Sequence, residues 1–246
     1  MANERKPVVI TGGTKGIGRA ISEHLAALGY DLVISYSSDE EAANETTQAV
    51  QFAGGNALVL RADARNKQSV EELFAKGIER FGAPYAVIAN AGIENVEAPF
   101  AEMSSDDLDK VVDTNFKGTF IALQQAARSV VDGGRVIATA SQIAVLPPPR
   151  SGAYAATKAA VRSMIDVLTL ELGPRGIAVN SLNPGPVDGA GIFTRITDEQ
   201  RDHFVKLTPM GRLPQPQDLV GAVEFLLSDG ARLISGHHLA VTGGFR

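Results

Sequence analysis

Short apolar runs alternate along this chain with longer segments whose apolar positions recur at helical spacing. Runs at 7–11, 31–36, 57–61, 85–90, 135–140, 177–182 and 238–242 read as seven strands. Near-continuous apolar strands of this kind are buried on both faces. Between them, 15–28, 39–52, 69–81, 115–131, 152–172, 198–207 and 216–227 read as helices. A further helix is expected from Ser104 or Ser105, as cap, into Val112. Stops follow at Gly29, Gly54-Gly55, Gly82, Gly133-Gly134 and Gly173-Pro174, and Asp39 is expected to cap the second helix. The rhythm predicts an α/β fold, a doubly wound parallel sheet with helices on both faces, formed by residues 1–246 as one domain. Residues 184–196, rich in Gly and Pro, break the rhythm and read as a loop beside a ligand.

Composition narrows the chemistry. The 246 residues are 44% hydrophobic, enough for one large core. Twenty-three Lys and Arg against 28 Asp and Glu leave a net charge of −5, and the basic residues are scattered, so no nucleic-acid partner is expected. With no cysteine, thiolate catalysis, disulfides and Cys-ligated metals are excluded, in keeping with a cytoplasmic protein. No leader is read in residues 1–7, and no apolar run reaches the roughly 20 residues that span a bilayer. His237 and His238 are adjacent, so on a strand they face opposite ways, and no metal site is expected there.

The first strand runs into Thr11-Gly-Gly-Thr-Lys-Gly-Ile-Gly18, which opens a helix. Gly12, Gly16 and Gly18 permit a tight turn and close approach to a pyrophosphate, and the helix N-terminus offers free N–H groups to it. The Lys and hydroxyl of a P-loop are missing, since Gly18 is followed by Arg19-Ala20. The second strand ends Tyr36-Ser37-Ser38 without the carboxylate that would take a ribose 2′-OH. Lys15 can instead meet a 2′-phosphate. NADP(H) is therefore favoured over NAD(H).

Tyr154 and Lys158 lie four apart on a helix and share one face. A neighbouring ammonium favours a phenolate, and a phenol so tuned can exchange a proton with an alcohol or carbonyl oxygen. Ser141 precedes this pair, Asn90-Ala91-Gly92 follows the fourth strand, and Asn115 opens the helix between. Joined in this order, the landmarks resemble the short-chain dehydrogenase/reductase family in its single-domain form, over essentially the whole chain. The likeness extends to residues 180–185 and 209–214.

The resemblance implies roles. Tyr154 is then the catalytic acid/base, and Lys158 lowers its pKa and holds the nicotinamide ribose. Ser141 orients the substrate oxygen, and Asn115 holds a water in a proton relay. Asp63, with Ala64, meets the adenine; Thr14 and Ile17 belong to the phosphate turn; Asn90, Ala91 and Gly92 border the cofactor; Pro184, Gly185 and Val187 flank the nicotinamide. The family's Thr four positions beyond Gly185 is Gly189 in this chain. The substrate is expected to be a small-molecule carbonyl or alcohol, with a 3-oxoacyl thioester on an acyl carrier protein or a sugar or polyol as members of that class. A dinucleotide-sensing binding protein is the non-enzymatic alternative, but such a protein would be expected to have lost the Tyr or Lys. Gln142 and Glu94 are placed at the pocket by position. Pro147-Pro148-Pro149-Arg150 forms a stiff segment over its mouth, where Arg150 can meet an anionic substrate. A homotetramer is implied, assembled through the helices that carry Asn115 and Gly152 and through the last strand.

Overall fold

A computed structural model of the chain describes residues 5–94 and 97–246, so the N-terminal part of the leader reading, residues 1–4, lies outside the described residues. Seven strands form one parallel sheet: β1 (Pro7–Thr11), β2 (Asp31–Tyr36), β3 (Asn56–Arg61), β4 (Ala86–Ala89), β5 (Arg135–Thr139), β6 (Ala178–Pro184) and β7 (His238–Val241). Their order is β3-β2-β1-β4-β5-β6-β7. The chain winds outward from β1 to β3, then returns to place β4 on the other side of β1. The crevice outside the carboxyl ends of β1 and β4 is therefore the switch point where ligands bind in open α/β sheets.

Period-two alternation along the strands feeds two cores. Val9, Val33, Val87, Val136 and Val179 face one layer, where they pack with residues of α3 (Lys67–Phe81), α5 (Thr119–Ser129) and α6 (Gly152–Leu172). Val8, Ile10, Leu32, Ile34, Ile88, Ile137 and Leu182 face the other, against α1 (Gly16–Ala27) and α8 (Pro216–Leu227). Each such side chain, fully withdrawn from water, contributes roughly 1.5–3 kcal/mol. Asp39 caps α2 (Glu40–Phe52) as expected, accepting the Ala42 N–H at 2.9 Å. Among the described residues no helix is long and apolar enough to cross a membrane.

One element departs from the sequence reading. Asn115 does not open a separate helix. α4 (Ser105–Val111) runs through a π-helical turn, Val112–Gly118, into α5 without a break. No Gly or Pro interrupts 105–117, so nothing in the chain stops the helix, and the extra residue is absorbed by widening the turn.

Candidate active site

The glycine-rich turn after β1 and the segment after β4 meet at the switch point. Asn90 Nδ2 donates to the Gly12 carbonyl at 3.0 Å, and the Ala91 N–H donates to Thr11 Oγ1 at 3.1 Å. The packing leaves no room for a side chain at two of the glycines: a Cβ at Gly12 would lie 2.9 Å from Ala91 Cα, and one at Gly18 only 2.1 Å from the Gly12 carbonyl oxygen. Whereas Asp39 and Asn66 cap α2 and α3, no side chain caps α1. Its first N–H groups are left for a ligand, the setting an anionic pyrophosphate requires. The residues present thus fit a dinucleotide.

From this turn a cleft of about 1450 Å³ runs along the strand ends. Its lining includes Thr14, Lys15, Gly16, Ile17, Tyr36 and Ser37 at one end. Asp63, Ala64, Asn90, Ala91 and Gly92 follow. Ser141, Gln142, Tyr154, Lys158, Pro184, Gly185, Val187 and Glu94 complete it. Lys15 is ion-paired with Asp39, and Asp63 is engaged by Arg65, whose Nη2 stands 2.6 Å from its carboxylate. The guanidinium holds the Asp63 carboxyl below its ordinary range.

Ser141 follows β5 and the segment that continues it. Its hydroxyl is loosely held, accepting the Ile143 N–H at 3.3 Å and lying 3.5 Å from the Pro184 carbonyl. Tyr154 and Lys158 come from the first turns of α6. Lys158 Nζ stands 5.6 Å from the centre of the Tyr154 ring and donates to the Thr139 carbonyl at 2.8 Å. Asn115, fully buried in the π turn, exchanges two hydrogen bonds with the Ile93 main chain, at 2.8 and 2.9 Å. A Cβ at Gly92 would fall 3.2 Å from Asn115 Oδ1 and 3.3 Å from Lys158 Nζ, so these two side chains meet at one point of the wall. The carboxamide is spent on Ile93, and the work it visibly does is to brace the segment after β4.

Electrostatics correct the expected tuning. Burial pushes the Tyr154 phenol above its ordinary pKa, the charge of Glu94 adds to this, and a hydrogen bond with Ser141 opposes it. Lys158 itself is lowered to about 8 by burial, with Glu94 pulling the other way. Desolvation is the leading cause for both groups, disfavouring the charged form of each. Burial and the charge of Glu94 thus disfavour the Tyr154 phenolate. Glu94 is raised to about 7 by burial, opposed by Lys158 and reinforced by Glu97.

Arg150 does not join the others. It takes a left-handed φ of 73°, its carbonyl accepts the Ala98 N–H, and its exposed guanidinium turns to the Glu97 carbonyl at 3.4 Å. Arg150 is not among the residues that line the cleft, whereas Leu146, Pro147 and Pro148 are. His238 bonds Ser181 at 2.7 Å and Asp166 at 3.0 Å, so its ring braces β7 against β6 and α6.

Sequence reasoning missed the aromatic wall. Phe193, Phe204 of α7 (Asp198–Lys206) and Phe245 line the cleft, with Phe204 centred 5.1 Å from Phe193 and 6.1 Å from Phe245. The only signal for it was an aromatic residue within the irregular 184–196 stretch.

A dinucleotide turn and a Tyr–Lys pair on one cleft, with the Lys buried, define a class, the dinucleotide-dependent oxidoreductases. The family described as enoyl-(acyl carrier protein) reductase matches residues 12–246. This chain belongs to the short-chain dehydrogenase/reductase family. It is 36% identical to 3beta-hydroxysteroid dehydrogenase 1 of Eggerthella lenta over 97% of this chain and 93% of that one. It is also 36% identical to L-rhamnose 1-dehydrogenase (NAD(P)(+)) of Azotobacter vinelandii, over 97% and 96%. Among solved structures, a short chain dehydrogenase from Burkholderia cenocepacia J2315 in complex with NADP superposes with a TM-score of 0.90, at 30% identity, over 98% of this chain and 99% of that one.

Proposed function

We propose that this protein is an NADP(H)-dependent oxidoreductase that interconverts a carbonyl and a secondary alcohol, with Tyr154 as acid and base. The observation that carries the reading is one cleft with an uncapped glycine-rich turn at one end and Ser141, Tyr154 and Lys158 at the other. When bound, the reduced nicotinamide supplies a hydride. The chain supplies the rest. Ser141 Oγ holds the substrate oxygen, and Tyr154, kept protonated by its surroundings, gives that oxygen its proton. Lys158 offsets the phenolate left behind, until a solvent proton replaces the one transferred. Oxidation of an alcohol runs through the same groups in reverse.

The preference for NADP(H) is supported by the end of β2. Asp39, the nearest carboxylate, is taken up by Lys15 and by the N-terminus of α2 and so is not free for a ribose 2′-OH, while Ser37 and Ser38 line the same end of the cleft and Lys15 is partly exposed there. A 3-oxoacyl thioester belongs to the proposed substrate class. Arg150, the residue offered for an acyl carrier, stands outside the cleft and gives that substrate no support. Titration with NADPH and NADH, each followed by oxidation of the coenzyme against a panel of ketones, tests the reading. NADPH is expected to bind at least tenfold tighter, and turnover of at least one ketone is expected. Tighter NADH would overturn the assignment of Lys15 and Ser37.

Assembly as a homotetramer is part of the same proposal. It is supported by Phe116, Phe120, Val167 and Leu170, apolar side chains exposed on the π turn, α5 and α6. Light scattering is expected to give about four times the 25.9 kDa of one chain, and a mass of 25.9 kDa would contradict it.

A further inference from the structure

The reaction above makes no use of Glu94. This residue follows the segment braced by Asn115, lines the cleft with Ser141, Gln142 and Tyr154, and is mostly buried. Its surroundings act on it through burial and through the charges of Lys158 and Glu97, with no hydrogen bond to another described residue. A partly buried carboxyl with no hydrogen bond from the chain is open to a partner from outside it.

The opposite wall is built to admit it. Gly191, on the loop after β6, has a φ of +56°, and a Cβ there would lie 2.9 Å from Glu94 Oε2. The carboxyl thus reaches across the pocket and meets the loop where the loop has no side chain. The charges nearby decide what it can take. A cationic substrate group would stand beside Lys158, and an anionic one would stand between Glu94 and Glu97. A neutral hydrogen-bond donor meets neither objection.

We infer that Glu94 is a specificity-determining residue, which accepts a hydrogen bond from a hydroxyl near the reacting carbon and so selects hydroxy ketones and polyols over their unsubstituted counterparts. This rests on the oxidoreductase reading. A site that bonds a substrate hydroxyl rejects the analogue without it, because the buried acceptor is then left unpaired.

Acetoin and 2-butanone share a four-carbon methyl ketone and differ by one hydroxyl, so the ratio of their kcat/KM values with NADPH isolates this contact. The ratio is expected to favour acetoin and to fall by about tenfold or more in Glu94→Leu, the size of a hydrogen bond to a charged group. Glu94→Gln keeps a neutral acceptor and is expected to retain only the part of the preference that wild type keeps when its own carboxyl is protonated. With Lys158, Tyr154 and Glu97 facing the carboxyl, the wild-type preference is expected to weaken as pH falls through about 7, a step that Glu94→Gln removes. In a second arm, calorimetry measures 2,3-butanediol and 2-butanol binding to Tyr154→Phe loaded with NADP⁺, with and without Glu94→Leu. Clear turnover with a ratio that stays within twofold in Glu94→Leu overturns the inference. Diol binding that depends on Glu94, in a protein whose Tyr154 form reduces neither ketone, refutes the oxidoreductase reading and upholds this one.

Discussion

Glu94 and Tyr154 line one pocket, and the charge of Glu94 makes the Tyr154 phenolate more expensive. For Glu94 the consequence is a measurable pH dependence of stability. Its folded pKa of about 7 lies above the ordinary 4.5, so the folded state binds this proton more tightly than the unfolded chain. The contribution is full below about pH 4.5 and is lost as pH rises through about 7. Glu94→Gln is therefore expected to be more stable than wild type at pH 8, by up to about 3 kcal/mol, with the advantage shrinking towards zero at pH 4.5. Thermal unfolding at both pH values checks this, and an advantage that grew on acidification would contradict it. Spacing found Tyr154, Lys158 and Ser141 because helical neighbours and strand ends are local properties. It missed the direction of the Tyr154 shift because burial and the charge of Glu94, distant in sequence, depend on the folded chain and not on local spacing.

The joint between α4 and α5 shows what one element can do for a site. The π turn buries Asn115 and presents both ends of its carboxamide to the Ile93 main chain. Asn115→Leu leaves a partly buried N–H and a partly buried carbonyl of Ile93 without these partners, and each costs about 1–3 kcal/mol. Unfolding by urea is expected to show a loss of about 2–4 kcal/mol, and a loss below 1 kcal/mol would mean that Ile93 is held by something else. The cap of α2 was legible because Asp39 and its partner Ala42 are three residues apart. The π turn was not, since nothing in Val112-Asp-Thr-Asn-Phe-Lys-Gly118, weak helix formers for the most part, specifies a widened turn rather than an ordinary one.

For the whole molecule, the seven strands and both helical layers follow from alternation of period, and the switch point follows from where the winding reverses. The wall of Phe193, Phe204 and Phe245 comes from three separate places in the chain, so no local pattern announces it. What unites these parts is a cleft that ends at one phenol. Tyr154→Phe removes a single oxygen and keeps the ring that packs there. Measured side by side, NADPH affinity and the rate of NADPH oxidation by a ketone substrate separate binding from proton transfer. Affinity is expected to stay within about threefold of wild type, while turnover falls by roughly 10²–10⁴, the usual worth of a positioned acid. Turnover within twofold of wild type, with the coenzyme still bound, would contradict the assignment of Tyr154 as the acid and base.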